Sequence, residues 1–233
     1  MNTIAYRYKH IYKSMIVNWI MRVNYDTFTA FNQPRDDMCY PTSIKVILDN
    51  LGIHHNFPDI KRSLKSIVKL CGWKEGGIED SDYALSNLNA KHFKKLGYNI
   101  SEKSGIEASM ELIGKILDDG NISMPTVLVS QEYFKEINKG YDAPEYAPKY
   151  YHQLVVLDVL DKVVVLFDPF KNYRNSENND SEFKVEVSIP NFIKYWNGAD
   201  KSVIYIERVK KEAGLDKRQT KIAKFNKKGE KSV

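Results

Sequence analysis

Four residues of the types used in thiol chemistry stand at two separate places in this 233-residue chain. Gln33 precedes Cys39 by six residues, and His152 precedes Asp168 by sixteen. A cysteine thiolate can attack a carbonyl carbon, an imidazole can carry the proton, and a carboxylate can orient the imidazole. The side-chain amide of Gln33 and the backbone N–H of Cys39 could donate to the developing oxyanion. The residue types therefore predict acyl chemistry at Cys39, provided that the fold brings the two places together.

The segment around Cys39 predicts an amphipathic helix. One apolar face at helical spacing is formed by Ile44, Ile47, Leu48 and Leu51. Pro41 fits only in the first turn of a helix, and Gly52 is expected to end the helix as a left-handed cap. Cys39 is therefore expected at the helix N-terminus, where unpaired N–H groups and the helix dipole favour a thiolate.

The segment around His152 predicts a β-hairpin. Two apolar runs, beginning at His152 and at Lys162, are separated by a turn near Asp161. In an antiparallel hairpin the start of the first strand lies beside the end of the second, so His152 and Asp168 should come within hydrogen-bonding reach. A histidine without such a context is more commonly a surface or structural residue.

The second cysteine and the other histidines give weaker signals. Cys71 precedes Gly72 at a predicted helix end, and its apolar neighbours favour a buried structural cysteine. The other histidines are His10, His54, His55 and His92. No metal-ligand spacing such as Cys-x-x-Cys accompanies them, so we expect neither a metal site nor another cofactor.

These motifs resemble the papain-like cysteine peptidases, and more closely the peptidases that process bacteriocin leaders and their stand-alone relatives. Those relatives show a glutamine, an aspartate shortly before Cys-Gly-Pro-Thr/Ala-Ser, and a helix that ends in Leu-Gly. The matching positions are Gln33, Asp36 or Asp37, Cys39, Pro41, Thr42, Ser43, Leu51 and Gly52. A histidine before an apolar strand, and a second strand ending in Asp-Pro, match at His152, Asp168 and Pro169. Tyr40 departs from the family's usual glycine, although papain itself has an aromatic residue there.

The resemblance covers residues 30–208 in element order. It implies an α+β, papain-like cysteine peptidase fold, in which an N-terminal catalytic helix packs on an antiparallel β-sheet. It also implies a peptidase that cleaves peptide or isopeptide bonds in a peptide or protein substrate. Cys39 would be the nucleophile, His152 the proton carrier, Asp168 its orienting group and Gln33 an oxyanion donor. The chain has no phosphate-binding loop and no apolar run long enough to span a membrane, so the double-glycine leader role is not carried over.

Two other functions remain open. An acyltransferase could use the same triad and pass the acyl group to an amine or a thiol. A catalytically inert binding module could keep the fold while Tyr40 and an aromatic-rich insertion at residues 131–151 block the cleft. That insertion is expected either to wall a substrate cleft or to fold down as a surface loop.

The remaining elements are predicted from hydrophobic periodicity and from caps and turns. We expect helices at 58–70, at 81–96 with Ser81 as cap, from 104 or 105 to 117, and at 190–197. We expect strands at 98–101, 125–130, 183–189 and 202–209, and a short strand before Gln33. Residues 172–182 are expected to form a polar loop.

Charge and patterning divide the chain into three parts. Residues 1–30 are expected to be a helix and strand extension, 31–209 the peptidase domain, and 210–233 a basic tail. From Arg208 onward there are ten Lys or Arg and three Asp or Glu, which is +7, so residues 1–207 carry −2 of the total of +5. The tail is expected to be disordered; the alternative is an electrostatic contact with nucleic acid, an anionic membrane or an acidic partner.

The composition indicates a reducing compartment. Two cysteines do not make a disulfide framework, and no transmembrane segment is predicted. The apolar run at residues 15–21 is interrupted by Asn18 and lacks a cleavage site of small residues. We therefore expect a cytoplasmic protein, with secretion as the alternative.

Overall fold

The computed structural model describes residues 23, 27–54, 63–78, 80–119, 122–137, 151–170 and 184–209. The predicted N-terminal apolar helix, the loop at 172–182 and the basic tail lie outside these residues. Most of the aromatic insertion lies outside them as well. Of the expected extension, only Val23 and residues 27–30 are described.

Within the described residues, six strands form one sheet. They are β1 Tyr98–Ser104, β2 Thr126–Val129, β3 His152–Val159, β4 Val163–Phe167, β5 Lys184–Ser188 and β6 Ser202–Arg208. The spatial order is β1-β6-β2-β3-β4-β5, and every neighbouring pair is antiparallel. The α+β class and the antiparallel sheet predicted from the sequence are confirmed.

Helices cover both faces of this sheet. They are α1 Cys39–His54, α2 Leu64–Cys71, α3 Ser81–Leu88, α4 Lys94–Leu96, α5 Met110–Asp118, α6 Gln131–Glu136 and α7 Ile189–Asn197. A π-helical segment, Asn89–Phe93, joins α3 to α4. None of the helices in this described part of the chain has the length and apolar character that a membrane span requires.

The side chains of β3 show how the two faces are divided. Val155 and Leu157 join the apolar cluster that contains α1, whereas Leu154 and Val156 join the cluster that contains α5, α6 and α7. Successive side chains of a strand point to opposite faces, and both faces are covered, which explains the continuous apolar run. By the same alternation His152 lies on the face that α6 covers.

The helix that carries the candidate nucleophile packs on the sheet as predicted. The four residues of its apolar face, Ile44, Ile47, Leu48 and Leu51, are all buried. The helix begins at Cys39, and the Ser43 hydroxyl donates to the carbonyl oxygen of Gln153 in β3 at 3.2 Å. Gly52 does not end the helix, which continues to His54. A helical glycine costs only about 1 kcal/mol, and the buried face of α1 outweighs that cost.

The strand expected before Gln33 is absent from residues 27–33. Instead, the side chain of Asn50 in α1 accepts from Thr29 N and donates to Thr29 O, both at 2.9 Å. A side-chain amide thus satisfies the backbone groups that a neighbouring strand would otherwise satisfy. The approach to Gln33 is held by α1 rather than by the sheet.

Other element boundaries differ from the predictions for local reasons. β1 extends to Ser104 because it pairs with Ser202 of β6, so the predicted helix start at 104 or 105 is wrong. The following helix begins at Met110 and is capped by Ser109. In the aromatic insertion, residues 131–136 form α6, and Tyr133 is fully buried, so a surface loop is wrong there.

Candidate active site

The β3–β4 hairpin brings His152 and Asp168 together. Val155 pairs with Phe167, so Asp168 follows the paired end of β4 beside the start of β3. Nε2 of His152 lies 2.7 Å from Oδ1 of Asp168, and the two side chains are 1% and 0% exposed. The contact is a short hydrogen bond between a buried imidazole and a buried carboxylate.

Each carboxylate oxygen of Asp168 accepts a hydrogen bond from a donor other than His152. The backbone N–H of Phe170 donates to Oδ1 at 2.8 Å. The hydroxyl of Tyr133 donates to Oδ2 at 2.9 Å. Donors to the charged form of a carboxylate stabilise that form, so the surroundings of Asp168 favour the anion.

Burial and pairing act in opposite directions on the pKa values of this pair. Burial alone would raise the pKa of Asp168, but His152, the Phe170 N–H and the Tyr133 hydroxyl together lower it below its usual value. Burial alone would lower the pKa of His152, but Asp168 and then Cys39 raise it above its usual value. At neutral pH the pair therefore consists of an imidazolium and a carboxylate.

Cys39 lies beside the imidazole at the start of α1. Its side chain is half-buried and lies close enough to His152 to raise the pKa of the imidazole. Since Nε2 is occupied by Asp168, Nδ1 is the nitrogen left for the thiol. Nδ1 is buried and has no well-aligned hydrogen bond to any residue that the structure describes. Catalytic hydrogen bonds are commonly long or misaligned before substrate binds, so the arrangement fits a nucleophile and base that align on binding.

Gln33 lies between the two halves of the site. Its backbone N–H donates to Pro169 O at 3.0 Å. Its side chain is buried, and Nε2 donates to Arg35 O at 2.9 Å and to Asp36 O at 3.0 Å. Two carbonyl acceptors fix the amide with its nitrogen toward this loop. Both N–H groups of the side chain are therefore engaged in the loop that precedes α1.

Asp37 anchors the same loop to the turn at residues 74–77. Its Oδ2 accepts from the backbone N–H of Gly76 at 2.9 Å, and its carbonyl oxygen accepts from Nε1 of Trp73 at 3.0 Å. The guanidinium of Arg35 lies over the Trp73 ring, 5.0 Å from its centroid. These contacts restrain the backbone two residues ahead of Cys39.

Tyr40 points into the core. It is 8% exposed and belongs to the apolar cluster of α1, together with Ile44 and Cys71. Successive residues of a helix are separated by about 100° around its axis, which directs Cys39 and Tyr40 to different surroundings. A side chain packed in the core does not stand in the approach to Cys39, so this position of Tyr40 gives no support to the alternative in which Tyr40 blocks the cleft.

The second cysteine has a structural environment. Cys71 is 1% exposed at the end of α2, and burial raises its pKa to about 12. A neutral, enclosed thiol is a poor nucleophile. The expectation that Cys71 is a buried structural residue agrees with this position.

The sequence did not reveal the three aromatic residues that surround His152. The ring centroids of Phe134, Tyr133 and Phe170 lie 4.8, 6.2 and 6.4 Å from that of the imidazole. One available signal is Ser130 before Glu132, a helix-start pattern directly after a predicted strand. The pairing of Val129 with His152 brings α6 to the site, and that pairing cannot be read from the local sequence.

Of the other histidines, the structure describes the side chain of His92 alone. His92 is buried next to Phe93, with ring centroids 5.0 Å apart. His10 and His55 lie outside the described residues, as does the side chain of His54. Within the described ranges, no three His, Cys, Asp or Glu side chains converge as a metal site requires.

Comparison with solved structures reveals related folds. A C39-like peptidase from Bacillus anthracis matches with a TM-score of 0.50 and 13% identity, over 78% of this chain and 96% of that one. The peptidase domain of ComA from Streptococcus, a bi-functional ABC transporter of a quorum sensing pathway, gives 0.45 and 16%, over 77% and 98%. A double glycine motif protease from an AMS/PCAT transporter, in complex with the leader peptide, gives 0.45 and 11%, over 77% and 91%.

The sequence itself matches no family model and no curated relative. At 13% identity, the likeness to the Bacillus protein shows the fold alone. The chain thus has the papain-like α+β fold of the C39-like peptidases, as the motifs around Cys39 and His152 predicted.

Proposed function

We propose that this chain, which has the fold of the C39-like peptidases, is a cysteine peptidase that hydrolyses peptide or isopeptide bonds. The observation that carries the proposal is the buried pair of His152 and Asp168, 2.7 Å apart, beside a cysteine at a helix N-terminus. The substrate is a peptide or protein. No cofactor enters the reaction.

The proposed reaction uses Cys39 and His152 in two steps. In the resting site the proton of Cys39 is already on Nδ1 of the His152 imidazolium, and the Cys39 thiolate attacks the carbonyl carbon, forming a C–S bond as the carbonyl oxygen becomes the oxyanion. The imidazolium then protonates the leaving amine as the C–N bond breaks. Water attacks the resulting thioester while His152 takes its proton, and the breaking C–S bond returns the thiolate. Asp168 keeps Nε2–H oriented and stabilises the imidazolium throughout.

The oxyanion of this reaction needs hydrogen-bond donors. The backbone N–H of Cys39 is one, because the first N–H groups of a helix have no intrahelical partner. We propose Gln33 as the second. Since its Nε2 donates to Arg35 O and Asp36 O, one of these two N–H groups must turn toward the oxyanion when substrate binds.

Replacing Gln33 by alanine tests this role. Loss of an oxyanion donor should lower kcat by about 10²–10³-fold with little change in KM. If Gln33 serves only to hold its loop, Gln33→Ala should lose stability while the folded fraction keeps its kcat. Circular dichroism at the assay temperature gives the folded fraction, so the two roles are separable.

A library of protein-derived peptides tests the hydrolysis. New termini should form with the unsubstituted protein and with Cys71→Ala, and should be absent with Cys39→Ala. Products carrying an added amine acceptor would identify an acyltransferase instead. Peptide binding that is equal in the unsubstituted protein and Cys39→Ala, without any product, would identify an inert binding module.

A further inference from the structure

Tyr133, which is not part of the proposed triad, donates a hydrogen bond to the carboxylate oxygen of Asp168 that His152 does not contact. Oδ1 of Asp168 receives His152 Nε2 and the Phe170 N–H, at 2.7 and 2.8 Å. Oδ2 receives the Tyr133 hydroxyl at 2.9 Å. Tyr133 and Asp168 are both 0% exposed. A carboxylate held at both oxygens cannot rotate without breaking one of these bonds.

We propose that Tyr133 is a positioning residue of the triad, whose hydroxyl fixes Oδ2 of Asp168 so that Oδ1 stays directed at Nε2 of His152. This inference rests on the proposed peptidase function. Tyr133 acts through Asp168, to which its hydroxyl donates. The hydroxyl of Tyr133 should therefore affect the rate of the chemical step rather than substrate binding.

The position of Tyr133 is fixed by the same strand pairing that fixes His152. Val129 of β2 pairs with His152, and α6 begins two residues later. The Tyr133 N–H donates to Ser130 O at 3.0 Å, which sets the first turn of α6. The Tyr133 ring lies 6.2 Å from the imidazole, with the two planes 26° apart. The ring of Tyr133 therefore packs beside the imidazole of His152, and its hydroxyl bonds to the carboxylate of Asp168.

The Tyr133 hydroxyl can act only as a donor toward the carboxylate. Burial, followed by the charge and hydrogen bond of Asp168, raises the pKa of Tyr133 well above its usual value, so the phenol keeps its proton. Without that proton donor, Oδ2 would be a buried anionic oxygen with no hydroxyl to bind. Removing a hydrogen bond from a charged acceptor is more costly than removing one from a neutral acceptor.

Tyr133→Phe removes the hydroxyl and keeps the ring, and Tyr195→Phe is its matched control. Tyr195 packs edge-on against Tyr133 at 5.9 Å, but its hydroxyl bonds to Glu136, not to Asp168. The readout is the rate of Cys39 alkylation by iodoacetamide from pH 5 to 9, which needs no substrate. At pH 6 we expect Tyr133→Phe to react about tenfold more slowly than the unsubstituted protein, and Tyr195→Phe within about twofold. Near pH 9 the rates should converge, because an unassisted thiol is then ionised.

The outcomes separate this inference from the proposed function. Equal slowing in both variants would mean a packing effect and would overturn the role of the hydroxyl, as would an unchanged or faster rate in Tyr133→Phe. If the unsubstituted protein already labels like His152→Ala, the proposed function fails and the inference fails with it. Should Tyr133→Phe not fold, proton NMR of the unsubstituted protein decides: a hydroxyl proton of Tyr133 protected from exchange supports the bond to Asp168, and a rapidly exchanging one overturns it.

Discussion

Replacing Asp168 by asparagine removes the charge beside His152 while keeping the shape of the side chain. The comparison is best made in a Cys39→Ala background, because the thiol also raises the pKa of His152. Cys71 does not interfere, since burial raises its pKa to about 12. The asparagine carbonyl can still accept from Nε2 of His152 and from the Phe170 N–H, but its amide nitrogen cannot accept from the Tyr133 hydroxyl. That loss does not depend on pH, so the pH dependence of the difference isolates the charge.

The distance between the two groups sets the size of the effect. At 2.7 Å, two unit charges attract by about 6 kcal/mol at an effective dielectric constant of about 20. Desolvation offsets much of this, and removing one member of a buried pair typically costs about 3–5 kcal/mol. Because asparagine retains the acceptor, we expect the free energy of unfolding to fall by about 3 kcal/mol at pH 5.

The sign of the pH dependence follows from the two pKa shifts. With Asp168, the pKa of His152 lies above 6.5, so its contribution to stability is complete below pH 6.5 and is lost as pH rises through the raised value. With asparagine, burial lowers the pKa of His152, and that variant loses stability as pH falls below 6.5. Below pH 3.8 the contribution of Asp168, whose pKa is lowered, is lost as well. The difference between the two proteins is therefore largest above pH 3.8 and below the lowered pKa of His152 in the asparagine variant.

Urea unfolding followed by tryptophan fluorescence at pH 4 to 8 measures this difference. Above pH 5 the difference in the free energy of unfolding should shrink by about 1.4 kcal/mol per pH unit wherever His152 is protonated in one folded protein and neutral in the other. A loss of about 3 kcal/mol at this rate takes about two pH units, so the difference should approach zero between about pH 7 and pH 8. All other titrating groups are common to both proteins and cancel. A difference that stays constant from pH 5 to 8 would refute the charged pair.

Three further substitutions test the surroundings of the site. Cys71→Ala should cost about 1–2 kcal/mol in urea unfolding because it leaves a small void, while the alkylation rate of Cys39 stays unchanged. Tyr40→Phe should leave the free energy of unfolding unchanged or raise it by up to about 1 kcal/mol, because the buried hydroxyl has no hydrogen-bond partner among the described residues. A fall in the free energy of unfolding would contradict this, because it would mean that the hydroxyl makes a stabilising bond. Gly72→Ala should lower Tm, since Gly72 has φ of +67° and an added Cβ would lie 2.8 Å from Cε1 of Tyr83; an unchanged Tm would contradict this geometry.

The sequence predicted those parts of the site that lie on local, periodic elements. The apolar spacing in α1 and the position of Pro41 set Cys39 at a helix start, as observed. The two apolar runs around residue 161 predicted the hairpin, and with it the approach of His152 to Asp168. Each of these predictions needs only the geometry of one helix or of one strand pair.

The parts that were missed depend on contacts between distant segments. Tyr133 reaches Asp168 because β2 pairs with β3, a strand order that local periodicity does not encode. Strand β1 continues to Ser104 because β6 pairs with it there. Gly52 stays helical because the face of α1 is buried against the sheet, and tertiary packing outweighs its local preference.

The claim that Cys39 and His152 form a nucleophile and its base is tested most directly by iodoacetamide alkylation across pH, with the labelled cysteine identified by peptide mass. Buried Cys71 serves as an internal reference that should label only on unfolding. We predict fast labelling of Cys39 below pH 7 that is slowed in His152→Ala. An ordinary thiol profile with a midpoint near about 8.5, unchanged in His152→Ala, would contradict the account and favour an inert binding module.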